Sequence, residues 1–376
     1  MLRGAGNCFC LFYNRGERPP SGRHAKMREI MTDSAMSETG HNRIWVLADD
    51  RAGNVNQAVG VAEAMACRFE RIDISYTRAA QLPNFVRRAS LLGVTPRSRE
   101  KLHAPWPELV IAAGRRTAPV ARWIKRQSGG KTRICQIMRP DGGEKEFDLI
   151  AVPAHDGVRA AENILEIPGA PHRISETRLV LEGKAWCRKF HGLPHPLIAL
   201  IVGGSTKKTT FTAEMARDMT QTAIKAARDA GGALLVTTSR RTGRDNESLI
   251  ADLLENANVP FHLHGWNSTE DNPYFGFLAL ADILIVTGDS VSMCCEACAA
   301  PGGVYIYAPD GIAAPRHRRL HQNLFDRGYA RPLGQGQGAA LADARKTAKL
   351  EVFHHPSLQP ARLVAQRCLE LIGERG

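Results

Sequence analysis

The chain has 376 residues, 43% apolar and 23% charged, an ordinary globular composition that excludes intrinsic disorder for its bulk. At roughly 100–200 residues per domain the length implies two domains, and no stretch of about eighteen apolar residues is present to cross a membrane as a helix. Fifty basic residues against 38 acidic ones give a net charge of +12, and thirteen of the basic but only two of the acidic residues (Glu100 and Glu108) fall between Arg78 and Arg133. A field of that sign draws phosphorylated ligands or an anionic surface. The nine cysteines are odd in number and scattered, so reduced thiols in a cytoplasmic setting are expected rather than a disulfide framework.

Residues 1–41 carry Gly, Pro, Ser and Arg without periodicity and read as a disordered leader or a misassigned start, Met27, Met31 and Met36 being later candidates. From Arg43 the chain alternates between short apolar strands and amphipathic helices. Strands are expected at Ile44–Ala48, Arg71–Ser75, Leu109–Ala112, Arg133–Met138 and Leu149–Val152, with helices around 83–92 and 116–127. Gly192, Pro194 and Pro196 place a linker at 186–196, closing a first domain at 42–185. A second series follows over 197–335. Its expected strands are Leu197–Val202, Ala233–Thr238, Pro260–Leu263, Ile283–Thr287 and Val304–Tyr307. The glycines at 334, 336 and 338 mark a flexible break, and a closing helix ends the 336–376 segment. Strand–turn–helix alternation predicts two α/β doubly wound, Rossmann-like domains, with a ligand cleft between the carboxyl ends of their sheets.

Two turns in the second series have the chemistry of an anion site. Gly203-Gly204 follows a strand, and glycine lets a backbone approach a ligand closely. Ser205, Thr206 and Thr209 add hydroxyls there, and Lys207 and Lys208 add charge. The spacing fits neither a Walker A loop nor G-x-G-x-x-G, so a plain tight turn is the competing reading. At the second turn Asp289 or Ser290 can cap a helix, which brings Ser292 and, about a turn further on, Glu296 toward the same ligand. A simple N-cap and an exposed helix charge are the competing readings of Ser290 and Glu296. His264 and Trp266, at a strand end, could flank a nucleobase. Cys295 and Cys298 form a single pair inside an expected helix, so core thiols are preferred to a metal site.

The stretch from Ala281 to Ala297, with Asp50–Gln57, Pro153–Asp156, Asn163, Val202–Gly204 and His321 through Arg331-Pro332, resembles the mitochondrial fission family named for the plant elongated-mitochondria protein, a family with many bacterial members. The resemblance spans roughly 43–335. It implies a GT-B-like arrangement of the two domains and a nucleotide sugar as donor substrate, with no bound metal or cofactor. It maps Ser290, Ser292 and Glu296 to diphosphate and ribose, with Gly203 and Gly204 lining the same pocket. Many GT-B transferases carry a basic histidine in the first glycine turn; Asn54 stands here, and asparagine takes no proton at neutral pH. A base would then be Asp49, Asp50, His155 or Asp156, or be absent, with Asp50 and His155 favoured because each sits where a strand meets its loop. The resulting expectation is glycosyl transfer to an envelope-linked acceptor, with a noncatalytic adaptor as the alternative.

In the segment 82–101, helical spacing would put Phe85, Val86, Ala89 and Leu92 on one stripe flanked by Arg87 and Arg88, followed by Arg97, Arg99 and Lys101. That is the pattern of an interfacial helix on an anionic membrane, peripheral on the inner face. Packing of the stripe on the first sheet is the alternative. Nucleic acid is not expected as a partner, because aromatic residues do not interleave the charges.

Overall fold

The computed structural model describes residues 43–157, 159–334 and 350–373. Residues 1–41, the expected leader, and 335–349, which hold most of the expected glycine break, lie outside the described residues. Six parallel strands build the first sheet: β1 (Ile44–Ala48), β2 (Phe69–Asp73), β3 (Leu109–Ala113), β4 (Arg133–Ile137), β5 (Leu149–Pro153) and β6 (Ile164–Ile167), in the order β2-β1-β3-β4-β5-β6. Its helical segments are α1 (Ala52–Ala64), the single turns α2 (Asn84–Arg87) and α3 (Pro96–Arg99), and α4 (Ala118–Gln127). Crossover helices cover both faces of a parallel sheet, which is why its strands are apolar throughout. Ile44, Val46 and Ala48 pack with Val55, Ala58 and Val59 of α1, whereas Trp45 and Leu47 join Val120, Ala121 and Ile124 of α4.

After α5 (Glu176–Phe190) comes the second sheet: β7 (Leu197–Ile201), β8 (Ala233–Thr237), β9 (Phe261–His264), β10 (Ile283–Thr287), β11 (Gly303–Tyr307) and β12 (Arg331–Pro332). Its order is β12-β11-β10-β7-β8-β9, all parallel. Counted from β7 this is the 3-2-1-4-5-6 order of dinucleotide-binding folds. The helices are α6 (Ala213–Ala230), α7 (Arg244–Glu255), α8 (Tyr274–Leu280), α9 (Val291–Ala297), α10 (Pro315–Asp326) and α11 (Pro360–Gly373). The edge strands β6 and β12 are absent from the expected set; both are short, and β12 contains a proline, which an edge tolerates.

Two helices tie the halves together. α5 leaves the first domain but packs on α8 of the second, where Gly276 admits the Trp186 ring; a Cβ there would stand 2.5 Å from it. The residues expected to begin the linker, 186–190, are therefore the last turn of α5. α11 returns the chain to the first sheet, burying Ala361, Val364, Ala365, Cys368 and Ile372 beside α1.

The expected helix over 83–92 is corrected. Only Asn84–Arg87 is helical, and Arg87, expected to flank the stripe, is fully buried at 1% exposure. Its guanidinium donates to the carbonyls of Leu92 (3.1 Å) and Arg116 (3.4 Å) and lies 5.8 Å from the centre of the Tyr76 ring. Leu92 is brought there by the turn that follows α2 and Arg116 by the loop after β3, so the arginine anchors an irregular excursion to the end of the sheet. Packing of the apolar stripe on the sheet is likewise overturned: Phe85 is 74% exposed, and Leu82, Val86 and Leu92 are exposed beside it. Among the described residues no helix is long and apolar enough to cross a membrane.

Candidate functional site

In an open parallel sheet the crevice opens where strand order reverses, outside the carboxyl ends of the strands. In the second sheet that point lies between β7 and β10, and both sequence-predicted turns meet there. Gly203 N–H donates to Thr287 Oγ1 (2.7 Å), and Gly204 N–H donates to Asp289 Oδ2 (3.1 Å). Arg241 pairs with the same carboxylate. A Cβ on Gly203 would lie 2.3 Å from Asp289 Oδ1, and one on Gly204, at φ +153°, 2.1 Å from the Arg241 carbonyl. Glycine is required here for the approach of Asp289 and Arg241. Thr287 and Asp289 thus take the amides of both glycines. Nor does the turn open a helix directly: α6 starts at Ala213, capped by Thr212, whose Oγ1 accepts from Met215 N.

Ser205 Oγ accepts from the Phe211 amide at 3.0 Å, and Lys207 and Lys208 are exposed. Ser290 is the N-cap of α9, its Oγ accepting from Met293 N at 3.4 Å. Ser292 and Glu296, four residues apart, share one partly exposed face of that helix. Glu296 is no free surface charge: the Tyr274 hydroxyl donates to its Oε2 at 2.5 Å. Burial raises the Glu296 carboxyl above the usual range, opposed by the Tyr274 hydrogen bond and the Arg178 charge. His264 is buried at the end of β9, and burial lowers its imidazole. Trp266 beyond it is exposed, its backbone N–H held by Thr238 Oγ1 at 3.0 Å.

The first sheet reverses between β1 and β3. There Asp49 accepts from Asn54 Nδ2 (3.2 Å) and Arg116 Nη2 (3.1 Å), and Asp50 pairs with Arg116 as well. Asn54, which stands where a basic histidine was considered, thus orients Asp49. Gly114, at φ +79°, leaves room for its amide; a Cβ would meet Asn54 Nδ2 at 2.5 Å.

His155 lies on the turn after β5, 1% exposed and apart from Asp50 in its bonding. The turn is gripped by α10: Arg319 Nε donates to the His155 carbonyl at 2.9 Å, and Arg316 pairs with Asp156 at 2.5 Å. Neither ring nitrogen of His155 has a hydrogen-bond partner among the described residues. Burial, with Arg316, His317, Arg319 and His321 around it, lowers its pKa to about 3. That environment disfavours the protonated imidazole, whereas Asp50, the other candidate, is exposed and paired with Arg116. Among the described residues no group of three or more His, Cys, Asp or Glu is placed to hold a metal. Cys294, Cys295 and Cys298 are buried core side chains.

Sequence reasoning passed over Arg116 and Arg241. Each is the second residue of an arginine pair, Arg115-Arg116 and Arg240-Arg241, lying just beyond an apolar strand. A charged pair at the carboxyl end of a buried strand is the signal that would have found them.

The histidines also set an acid limit. Burial lowers His155 to about 3 and His172 and His321 each to about 4. An unfolded histidine titrates near ~6.5. Between about pH 4 and 6.5 the unfolded chain holds more protons, so stability rises with pH there and is lost on acidification. Each histidine contributes a loss of about 2 kcal/mol from pH 7 to pH 5. Urea unfolding at the two pH values should show several kcal/mol less stability at pH 5.

Known proteins agree with this architecture. The UDP-GlcNAc 2-epimerase of Methanocaldococcus jannaschii superposes with a TM-score of 0.54 at 9% identity, over 88% of this chain and 99% of that one. The Neisseria meningitidis UDP-GlcNAc 2-epimerase, bound to UDP-GlcNAc, gives 0.52 at 10% identity, over 88% and 100%. At such identities the likeness concerns fold: two parallel α/β domains of the GT-B kind. An uncharacterised protein of Rickettsia prowazekii is 26% identical over 357 residues, covering 86% of this chain and 96% of its own. The mitochondrial fission protein ELM1 of Arabidopsis thaliana is 27% identical over 244 residues, 59% of this chain and 56% of the plant protein. A family model matches residues 52–372, most of the chain, and so this protein belongs to the Mitochondrial fission ELM1 family.

Proposed function

We propose that the protein binds a nucleotide sugar in its second domain and transfers the sugar to an envelope-linked acceptor. The observation that carries this reading is the meeting of the Gly203-Gly204 turn with the Thr287–Ser290 turn at the reversal point of a 3-2-1-4-5-6 sheet. The UDP-GlcNAc bound by a protein of like fold supports it. The diphosphate is assigned to Ser290 and Ser292 beside the 203–205 turn, the ribose to Glu296, and the base to the exposed Trp266 next to His264. In the transfer step the acceptor oxygen bonds to sugar C1 as the C1–diphosphate oxygen bond breaks, and the acceptor proton passes to Asp50. Holding the two reactants in line supplies much of the rate. Calorimetry with UDP, GDP and ADP tests the reading. One of them should bind, and Glu296→Ala should weaken that binding by about 1–3 kcal/mol. Failure of all three to bind the intact protein would overturn it.

A noncatalytic adaptor that keeps the nucleotide site is the second reading. It is favoured by the ion pair that ties Asp50 to Arg116 and by the weak basicity of His155. Nucleotide binding without turnover of any sugar nucleotide would select it.

The acceptor's setting is proposed to be an anionic membrane at the cytoplasmic face. Leu82, Phe85, Val86 and Leu92 form an exposed apolar patch on the excursion that also carries the exposed Arg88, Arg97, Arg99 and Lys101. Each basic residue near such a surface is worth about 1 kcal/mol. The protein should sediment with anionic liposomes at low salt, and Phe85→Asp with Arg88→Glu should abolish this. Binding unchanged by that pair would remove the membrane from the proposal.

A further inference from the structure

We infer that Tyr274 is a positioning residue that makes the nucleotide site selective for ribose, by fixing the Glu296 carboxylate so that its remaining acceptor sites take the sugar's vicinal hydroxyls. The inference rests on the nucleotide reading above. Tyr274 opens α8 immediately after the loop that carries Trp266, and Glu296 sits one turn beyond Ser292 on α9. The two helices are otherwise joined to separate strands, β9 and β10. The Tyr274 hydroxyl spans them with the 2.5 Å hydrogen bond to Glu296 Oε2.

The direction of that bond is settled by chemistry. Burial first, and then the neighbouring Glu296 charge, raises the Tyr274 phenol well above its ordinary value, so it stays protonated. It donates, and the carboxylate accepts. An ionised carboxylate offers about four lone-pair sites on two oxygens, and Tyr274 takes one of them, on Oε2. Arg178 of α5 supplies the counter-charge, its guanidinium carbon resting 3.9 Å from the centre of the Phe275 ring. Held from Tyr274 on one side and facing the Arg178 charge, the carboxylate loses little rotamer freedom when a ligand arrives. Preorganised acceptors discriminate strongly against ligands that lack the matching donor, because the buried polar group is then left unpaired.

The test compares nucleoside diphosphates with their 2′,3′-dideoxy analogues, for UDP, GDP and ADP, by calorimetry on the full chain. The native protein should prefer the bound ribonucleotide over its dideoxy analogue by roughly tenfold or more, the scale of a hydrogen bond to a charged acceptor. Tyr274→Phe should cut that preference severalfold while leaving the affinity for the dideoxy analogue unchanged. Tyr274→Gln, which restores a donor, should recover part of it. If no nucleotide binds the native chain, the nucleotide reading fails. If nucleotides bind but ribose and dideoxyribose are not distinguished, or Tyr274→Phe keeps the ratio, the present inference alone fails. Equal loss of both ligands, or failure of both variants to fold, makes Tyr274 a structural residue and overturns it too.

Discussion

Arg87→Glu should destabilise the first domain by about 3–5 kcal/mol, enough to leave much of the protein unfolded at 37 °C. Arg87 is among the largest fully buried side chains of the molecule, and every hydrogen bond it makes goes to an uncharged oxygen: the carbonyls of Leu92 and Arg116 and the side-chain oxygen of Asn84. Reversing its charge would place a carboxylate against three acceptors in a dry site. The neighbouring donors, Asn84 Nδ2 and the Tyr76 hydroxyl, already bond the Arg115, Pro140 and Arg116 carbonyls, so the cost is desolvation plus repulsion. Thermal unfolding followed by circular dichroism checks this, and a variant that melts like the native chain would show that the guanidinium does not anchor the excursion. The result also governs how membrane experiments are designed. Loss of liposome binding in an Arg87 variant would report unfolding, whereas Arg88 is exposed and reports the surface.

Asp289→Ala should both lower stability by about 3 kcal/mol and abolish nucleotide binding. The side chain is buried and accepts from the Gly204 amide while pairing with Arg241. Alanine would leave a buried N–H and a half-buried guanidinium without their partner. Gly203, whose α-carbon faces this carboxylate, would lose the neighbour that defines the turn. Asp289→Asn separates the two effects, since an amide oxygen can still accept from Gly204 but no longer balances Arg241. It should retain most of the stability and lose most of the binding. Calorimetry and urea unfolding on both variants give the answer; full nucleotide affinity in Asp289→Ala would place the ligand elsewhere.

The glycine turn at 203–204 and the capping serine at 290 are legible in the sequence because their signals are local. Each follows a run of apolar β-formers and carries a residue type that a turn or a helix start demands. Asp50 and His155 are legible for the same reason, as polar residues just past a strand. What the sequence does not carry is who meets them. Arg116 reaches back across 67 residues to Asp49, Arg241 reaches Asp289 across 48, and Tyr274 reaches Glu296 across 22. Periodicity reports which face of an element is apolar, not which element lies beside it. The same limit explains the 83–92 segment. Its apolar spacing matches a helix, but Gly93, Pro83 and the buried arginine give a different backbone, and the apolar side chains end up outside.

By itself, then, the sequence determined the class and the chemistry on offer: two α/β halves, a basic first domain, glycine and serine turns at strand ends, and a family resemblance carried by them. Strand order was decided by the tertiary structure. Placing β10 beside β7, and β3 beside β1, creates the two reversal points and brings residues distant in sequence into hydrogen-bond range. It also set the electrostatics. The same imidazole type that would titrate near neutrality in water is held neutral at His155 first by burial and then by the Arg316 and Arg319 charges that α10 brings against it. Burial and neighbouring charge are properties of packing, and packing is a sum over contacts between elements that no local pattern encodes.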